Sequence, residues 1–74
     1  MLRAMVECEN VESEKLAKHL SKLTGDFKLW IHGSIIYASF NVESFSMLTE
    51  FRRRLKRMKT GFRFIKIQTV SHET

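Results

Sequence analysis

Seventy-four residues allow one domain and no more, and a chain this short removes only ~60 % of its unfolded surface from water, so its core is marginal without a staple. Cys8 is the single cysteine, which excludes an internal disulfide, and no Cys/His group has zinc-ligand spacing. Charge is lopsided: up to Glu50 five basic side chains stand against seven acids, beyond it eight stand against one, and the formal net of +5 points to a polyanion or an acidic surface as partner.

Residues 2–8 alternate Leu2, Ala4, Val6 and Cys8 against Arg3, Met5 and Glu7, the period of a half-buried strand. A helix follows, with Asn10 or Ser13 as its cap and Glu12 and Glu14 in the acidic first turn. Leu16, Ala17, Leu20 and Leu23 recur there at helical spacing, and Gly25 stops the pattern. Residues 27–31 and 34–40 read as two strands about a His32-Gly33 turn, where glycine tolerates the positive φ of a two-residue hairpin. That turn sets Ile31 against Ser34, Trp30 against Ile35, Leu29 against Ile36 and Lys28 against Tyr37. Phe27, Leu29, Ile31, Ile36, Ala38 and Phe40 then share one face, and Lys28, Trp30, Ile35 and Tyr37 share the other.

Ser44 is the expected cap of a second helix running to about Thr60, with Met47, Leu48, Phe51, Leu55 and Met58 on one arc. Gly61 is expected just past its end with a positive φ, while Lys56, Arg57 and Lys59 suit the negative end of the dipole. Residues 62–70 form the last expected strand, Ile65 and Ile67 opposing Phe64 and Lys66, and residues 71–74 read as a frayed tail. Residues 1–7 are too mixed for a signal segment and no apolar run approaches ~18 residues, so a soluble, cytoplasmic protein is expected, in keeping with the cysteine usage.

The order β-α-β-β-α-β is that of an α+β domain with the split βαβ, or ferredoxin-like, arrangement: an antiparallel four-stranded sheet with two helices on one face, spanning residues 1–74. The other face lies open. It carries Trp30, Tyr37, Ile35 and Lys28 as a candidate interface, with Arg3, Met5 and either Phe62/Phe64 or Ile65/Ile67, an aromatic surface that suits nucleobases or a second protein chain. A homodimer or heterodimer follows from it. Residues 33–40 place Tyr37 and Phe40 at positions similar to those of the RNA-recognition module's third strand, without its leading basic residue or first aromatic. Sheet-mediated protein contact explains the open face better.

From Phe51 to His72 there is no carboxylate, and Arg52, Arg53, Lys56, Arg57, Lys59 and Arg63 form the candidate nucleic-acid contact, with Arg53 and Arg57 on one outward line at i and i+4. A solvated helix face and an acidic protein partner are the competing readings of the same cations. Catalysis has little to rest on: His19, His32 and His72 have no partner at triad or ligand spacing and read as surface or turn histidines, and Cys8 reads as a buried strand cysteine. No cofactor, metal, membrane or small-molecule substrate is expected. The four methionines sit at packing positions.

The stretch from Ile35 to Met58 reads Ile-Ile-Tyr-Ala-Ser-Phe-Asn-Val-Glu-Ser-Phe-Ser-Met-Leu-Thr-Glu-Phe-Arg-Arg-Arg-Leu-Lys-Arg-Met. With the strand, helix and tight hairpin before it, it resembles the small dimerising subunit of the KEOPS complex, which makes threonylcarbamoyladenosine on tRNA. That family's helix opens with Ser-Leu-Arg and carries Asn-Ser further on. Here Ser44-Phe45-Ser46 lacks the arginine, Asn-Ser is absent, and a strand follows the helix. The resemblance implies a divergent paralogue that pairs with the standard small subunit, helps hold tRNA and carries no catalytic residue. The expected function is therefore a non-catalytic RNA-binding and dimerisation subunit. Its alternative is a viral or regulatory adaptor or inhibitor that docks through the open sheet and the basic helix.

Overall fold

The computed structural model describes residues 2–69. The expected tail at residues 71–74, the last strand residue Val70 and the candidate His72 lie outside the described residues. The elements run β1 (Leu2–Glu9), α1 (Ser13–Leu23), β2 (Phe27–His32), β3 (Ile35–Val42), α2 (Phe45–Arg57) and β4 (Gly61–Thr69). The four strands form one sheet in the order β2-β3-β1-β4, and every neighbouring pair is antiparallel. This is an α+β domain with an open antiparallel sheet and two helices, as the two periodicities require.

Period-two alternation decides which sheet face is dry. Ala4, Val6 and Cys8 of β1 and Ile36, Ala38, Phe40 and Val42 of β3 are buried together with Leu16 and Leu20 of α1 and Met47, Phe51 and Leu55 of α2, so both helices cover the same side. Phe40 and Phe51 meet at 4.8 Å between ring centroids and Phe51 meets Phe64 edge-on at 6.2 Å, a chain of tilted rings from β3 through α2 to β4. Among the described residues no helix is long and apolar enough to cross a membrane.

Local punctuation departs from expectation at four places. The hairpin loop is Gly33-Ser34, and Trp30 pairs with Tyr37, Leu29 with Ala38, Lys28 with Ser39 and His32 with Ile35, a register two residues away from the one expected. Gly33 alone there has a positive φ, +64°, and a two-residue turn with the positive φ at its first position needs glycine first, not second. A shift of two preserves the division of faces, which is why the expected partition of side chains survives a wrong register.

Neither Asn10 nor Ser13 caps α1. Glu12 occupies the cap without a side-chain bond, Ser13 is already helical, and Asn10 at φ 61° swings the chain out of β1, a conformation asparagine tolerates. Ser44 does cap α2, accepting from the Met47 amide at 3.3 Å. That helix ends at Arg57, short of Thr60, and the left-handed residue beyond it is Lys59 (φ 59°), not Gly61. The Thr60 amide donates to Leu55 O at 3.0 Å and the Lys59 amide to Lys56 O at 3.1 Å, the two bonds that close a helix over a left-handed residue. Gly61 instead faces Glu9 across β1 and β4, where an added Cβ would come within 2.9 Å of the glutamate Cγ. Its small size answers a close approach rather than a turn.

Candidate nucleic-acid interface

At about 100° per residue, Arg52, Lys56, Thr49, Arg53 and Arg57 follow one another around the arc of α2 outside the Phe51 and Leu55 stripe. All five are exposed. Thr49, Arg52, Arg53 and Lys56 line a shallow depression of about 310 Å³. Thr49 turns its hydroxyl back to Phe45 O at 3.1 Å, so the floor between the cations is a short, satisfied side chain.

The cations are not equivalent. Arg53 is paired with Glu50 at 3.1 Å, so the expected outward line of Arg53 and Arg57 is half neutralised. Glu50 also lies 3.3 Å from Arg54, whose guanidinium turns inward and meets His19 Nδ1 of α1 at 3.3 Å. Arg54 thus belongs to the seam between the helices, and His19, expected as a surface histidine, sits at that seam. Because arginine only donates, the contact holds His19 with Nδ1 as acceptor. Partial burial, then the charges of Arg54, Lys22, Lys18 and Arg57, lower its pKa. Among the described residues Arg52, Lys56, Arg57 and Lys59 have no carboxylate at ion-pair distance. Four uncompensated cations on one helix face and its cap are what phosphate contact needs.

Arg63 does not join them. Its register partner is Glu7, to which it is paired at 3.2 Å, and that row of the sheet continues through Tyr37 to Trp30 on the open face. The candidate phosphate contacts are therefore divided between the two sides of the molecule. Sequence reasoning could not see this, because Arg63 follows the helical cations closely in sequence while the chain crosses to the other side of the sheet.

The open face is more polar than its aromatics suggested. Rows across the strands read His32–Ile35–Glu9–Gly61, Trp30–Tyr37–Glu7–Arg63, Lys28–Ser39–Met5–Lys66 and Asn41–Arg3–Gln68. Arg3 lies along the last of these, donating to Ser39 Oγ at 2.9 Å and Asn41 Oδ1 at 2.6 Å, while Asn41 in turn donates to Asp26 at 2.6 Å. The expected interface splits by position. Trp30 and Tyr37 are direct neighbours, but Ile35 lies opposite His32 and Lys28 opposite Ser39. Phe40 is wholly buried, so Tyr37 and Phe40 point to opposite faces and do not form a stacking pair.

On β4 the register slips between Met5 and Val6, leaving Ile65 without a partner. Phe62 and Phe64 therefore pack on the covered side, and Ile65 comes to the open side next to Lys66. After the bulge Ile67 pairs with Ala4 on the covered side, so neither expected aromatic or aliphatic pair reaches the open face whole.

A larger depression, of about 460 Å³, opens where Asn10, Ser34 and Thr60 meet, but it carries Glu12 and Lys15 together and so offers no field of one sign. Cys8 is buried in β1, and burial, with the Glu7 charge, pushes its thiol up to about 11, the reverse of an activated nucleophile. Among the described residues no three His, Cys, Asp or Glu side chains gather where a metal ion could be held. Neither a protein-family model nor a curated protein sequence matches the chain.

Proposed function

We propose that this protein is a non-catalytic, RNA-binding accessory subunit of ferredoxin-like topology, which presents the outer face of α2 to the phosphates of a structured RNA and associates with a protein subunit through its sheet. The carrying observation is the depression on α2, where Arg52 and Lys56 flank Thr49 and, among the described residues, neither has a carboxylate at ion-pair distance. Spacing at i and i+4 puts the two cations about one helical turn apart, near enough to touch neighbouring phosphates of one strand. The depression offers cations and a hydroxyl, groups that suit contact with phosphate and backbone. A tRNA, compact and rich in phosphate, is the RNA proposed, in a modification complex of the KEOPS kind.

Binding of labelled tRNA measured across a salt series tests this. Affinity should fall with salt at a log–log slope of roughly −0.7 to −0.9 per neutralised phosphate. Arg52→Glu with Lys56→Glu should weaken binding by ~1 kcal/mol or more per site and flatten the slope, with the melting temperature almost unchanged, because both side chains are exposed and outside the buried Phe51 and Leu55 stripe. Unchanged binding and slope in the double variant would overturn the reading. If capture of an acidic protein were lost instead, the adaptor function would take its place.

A further inference from the structure

We infer that β2 is the seam of a homodimer, in which the β2 strand of a second copy of this chain pairs with it edge to edge, antiparallel, about a twofold axis through Leu29.

β2 and β4 are the two edges of the sheet. The β4 edge is guarded by its bulge at Ile65 and by Arg63 and Lys66, devices that discourage strand addition. β2 is less guarded: it keeps one register with β3 from Phe27 to His32, without bulge or proline, and Lys28 is its one residue among Lys, Arg, Asp and Glu. Trp30 on the open face is 47 % exposed, and Ile31 on the helix side is 66 % exposed although it belongs to the same apolar face as Phe27 and Leu29.

The backbone selects the register. Asn41 donates to Asp26 O at 3.2 Å, so Asp26 and, by alternation, Lys28, Trp30 and His32 direct their amides and carbonyls into β3. Phe27, Leu29 and Ile31 direct theirs outward. An antiparallel copy centred on Leu29 brings Leu29 against the partner's Leu29, Phe27 against the partner's Ile31 and Ile31 against the partner's Phe27, so every outward group of these three residues finds a partner. The same register covers Ile31 with an aromatic ring and sets Lys28 opposite the partner's Trp30 on the open face, where the ammonium can lie over the indole. Moving the centre to Trp30 would set Lys28 opposite the partner's His32 and leave the outward groups of Phe27 idle. Self-complementarity of both backbone and side chains is what marks a second copy as the occupant.

The inference is independent of the RNA reading and is tested without nucleic acid. Sedimentation at tens of micromolar should give a dimer. Ile31→Pro removes one outward amide at a position where an edge strand accepts proline, and Ile31→Lys removes only the apolar contact. Both should weaken association roughly tenfold or more while leaving a folded monomer, because Ile31 contributes little to the core. Ile67→Lys on the other edge should leave the dimer within about twofold of the parent protein. Leu29→Cys should form a disulfide-linked dimer on mild oxidation and Ile31→Cys should not, since facing residues of a bonded pair have Cα atoms about 5.5 Å apart, whereas the two Ile31 positions would be separated by about four residues of strand, roughly 13 Å. A monomer at all concentrations overturns the inference. So does a dimer indifferent to the Ile31 variants, a dimer lost in Ile67→Lys, or association only with a different protein.

Discussion

The two faces of the sheet are built from the same four strands and held by different physics. The covered face is apolar from strand to strand, closed by Leu16, Leu20, Phe51 and Leu55, and its cohesion is burial, which is non-directional and tolerates errors of register. The open face is organised by bonds with direction: Arg3 to Ser39 and Asn41, Asn41 to Asp26, Arg63 to Glu7. One face supplies stability, and the other carries a polar network beside the neighbouring Trp30 and Tyr37.

If that division is right, the largest effect of any single change belongs to the covered face. Leu55, wholly buried on α2, should cost ~2–5 kcal/mol when cut to alanine. Urea unfolding would read this as a lower midpoint at unchanged slope. A loss under ~1 kcal/mol would mean that the helix does not seal the core as described, and the contrast between the faces would collapse.

The open face should give less, and unevenly. Arg3 is a cation with its side chain only 23 % exposed, and it satisfies Ser39, itself buried. Arg3→Met keeps the stem against the sheet but leaves the Ser39 hydroxyl and the Asn41 carbonyl without their donor, so a cost of ~1–2 kcal/mol is expected. Asp26, at 3.5 Å from Arg3 and more than half exposed, should matter little: Asp26→Asn should fall within ~0–1 kcal/mol and its effect should fade with salt. Thermal melts of the two variants at low and high salt would separate a hydrogen-bonded network from a screened ion pair. Equal costs for both would show that the ion pair, not the bonds to Ser39 and Asn41, orders this face.

The same contrast explains what the amino-acid sequence could and could not reveal. Apolar alternation in β1 and β3 and the 3-4-3 spacing of Leu48, Phe51, Leu55 and Met58 carried the element order and the composition of the core, because burial depends on which face a residue occupies. The bonds of the open face depend on which residue lies opposite which, and that required the hairpin register, itself dependent on whether Gly33 comes first or second in the turn. The bulge at Ile65 was hidden for the same reason, since an unpaired residue has no signature in a single strand. On α2 the run of cations was plain, but the inward turn of Arg54 and the pairing of Arg53 with Glu50 depend on where α1 packs and on rotamers. Lys59 in the left-handed position ran against the usual preference for glycine, and the nearby Gly61 drew the assignment to itself.

The smallest expected effect lies where the covered side has a polar seam. His19 meets the Arg54 guanidinium, with Lys22, Lys18 and Arg57 adding positive charge and Glu50 facing Arg54 from the other side. Its pKa in the folded protein lies below the usual 6.5, first through partial burial and then through Arg54. The unfolded chain therefore takes up the proton before the folded one does, so the favourable neutral state is fully expressed above the usual histidine pKa and stability falls as pH drops through it. Protonation would also turn Nδ1 from acceptor into donor against a group that can only donate. Melting temperature should thus decline between pH 7.5 and 5.5, a window above the range in which ordinary carboxylates titrate. In His19→Gln, which keeps an amide oxygen to accept from Arg54, that decline should flatten while stability at pH 7.5 stays near the parent value. A decline of the same steepness in the variant would place the responsible proton elsewhere and leave the interhelical seam as inert as the apolar surface around it.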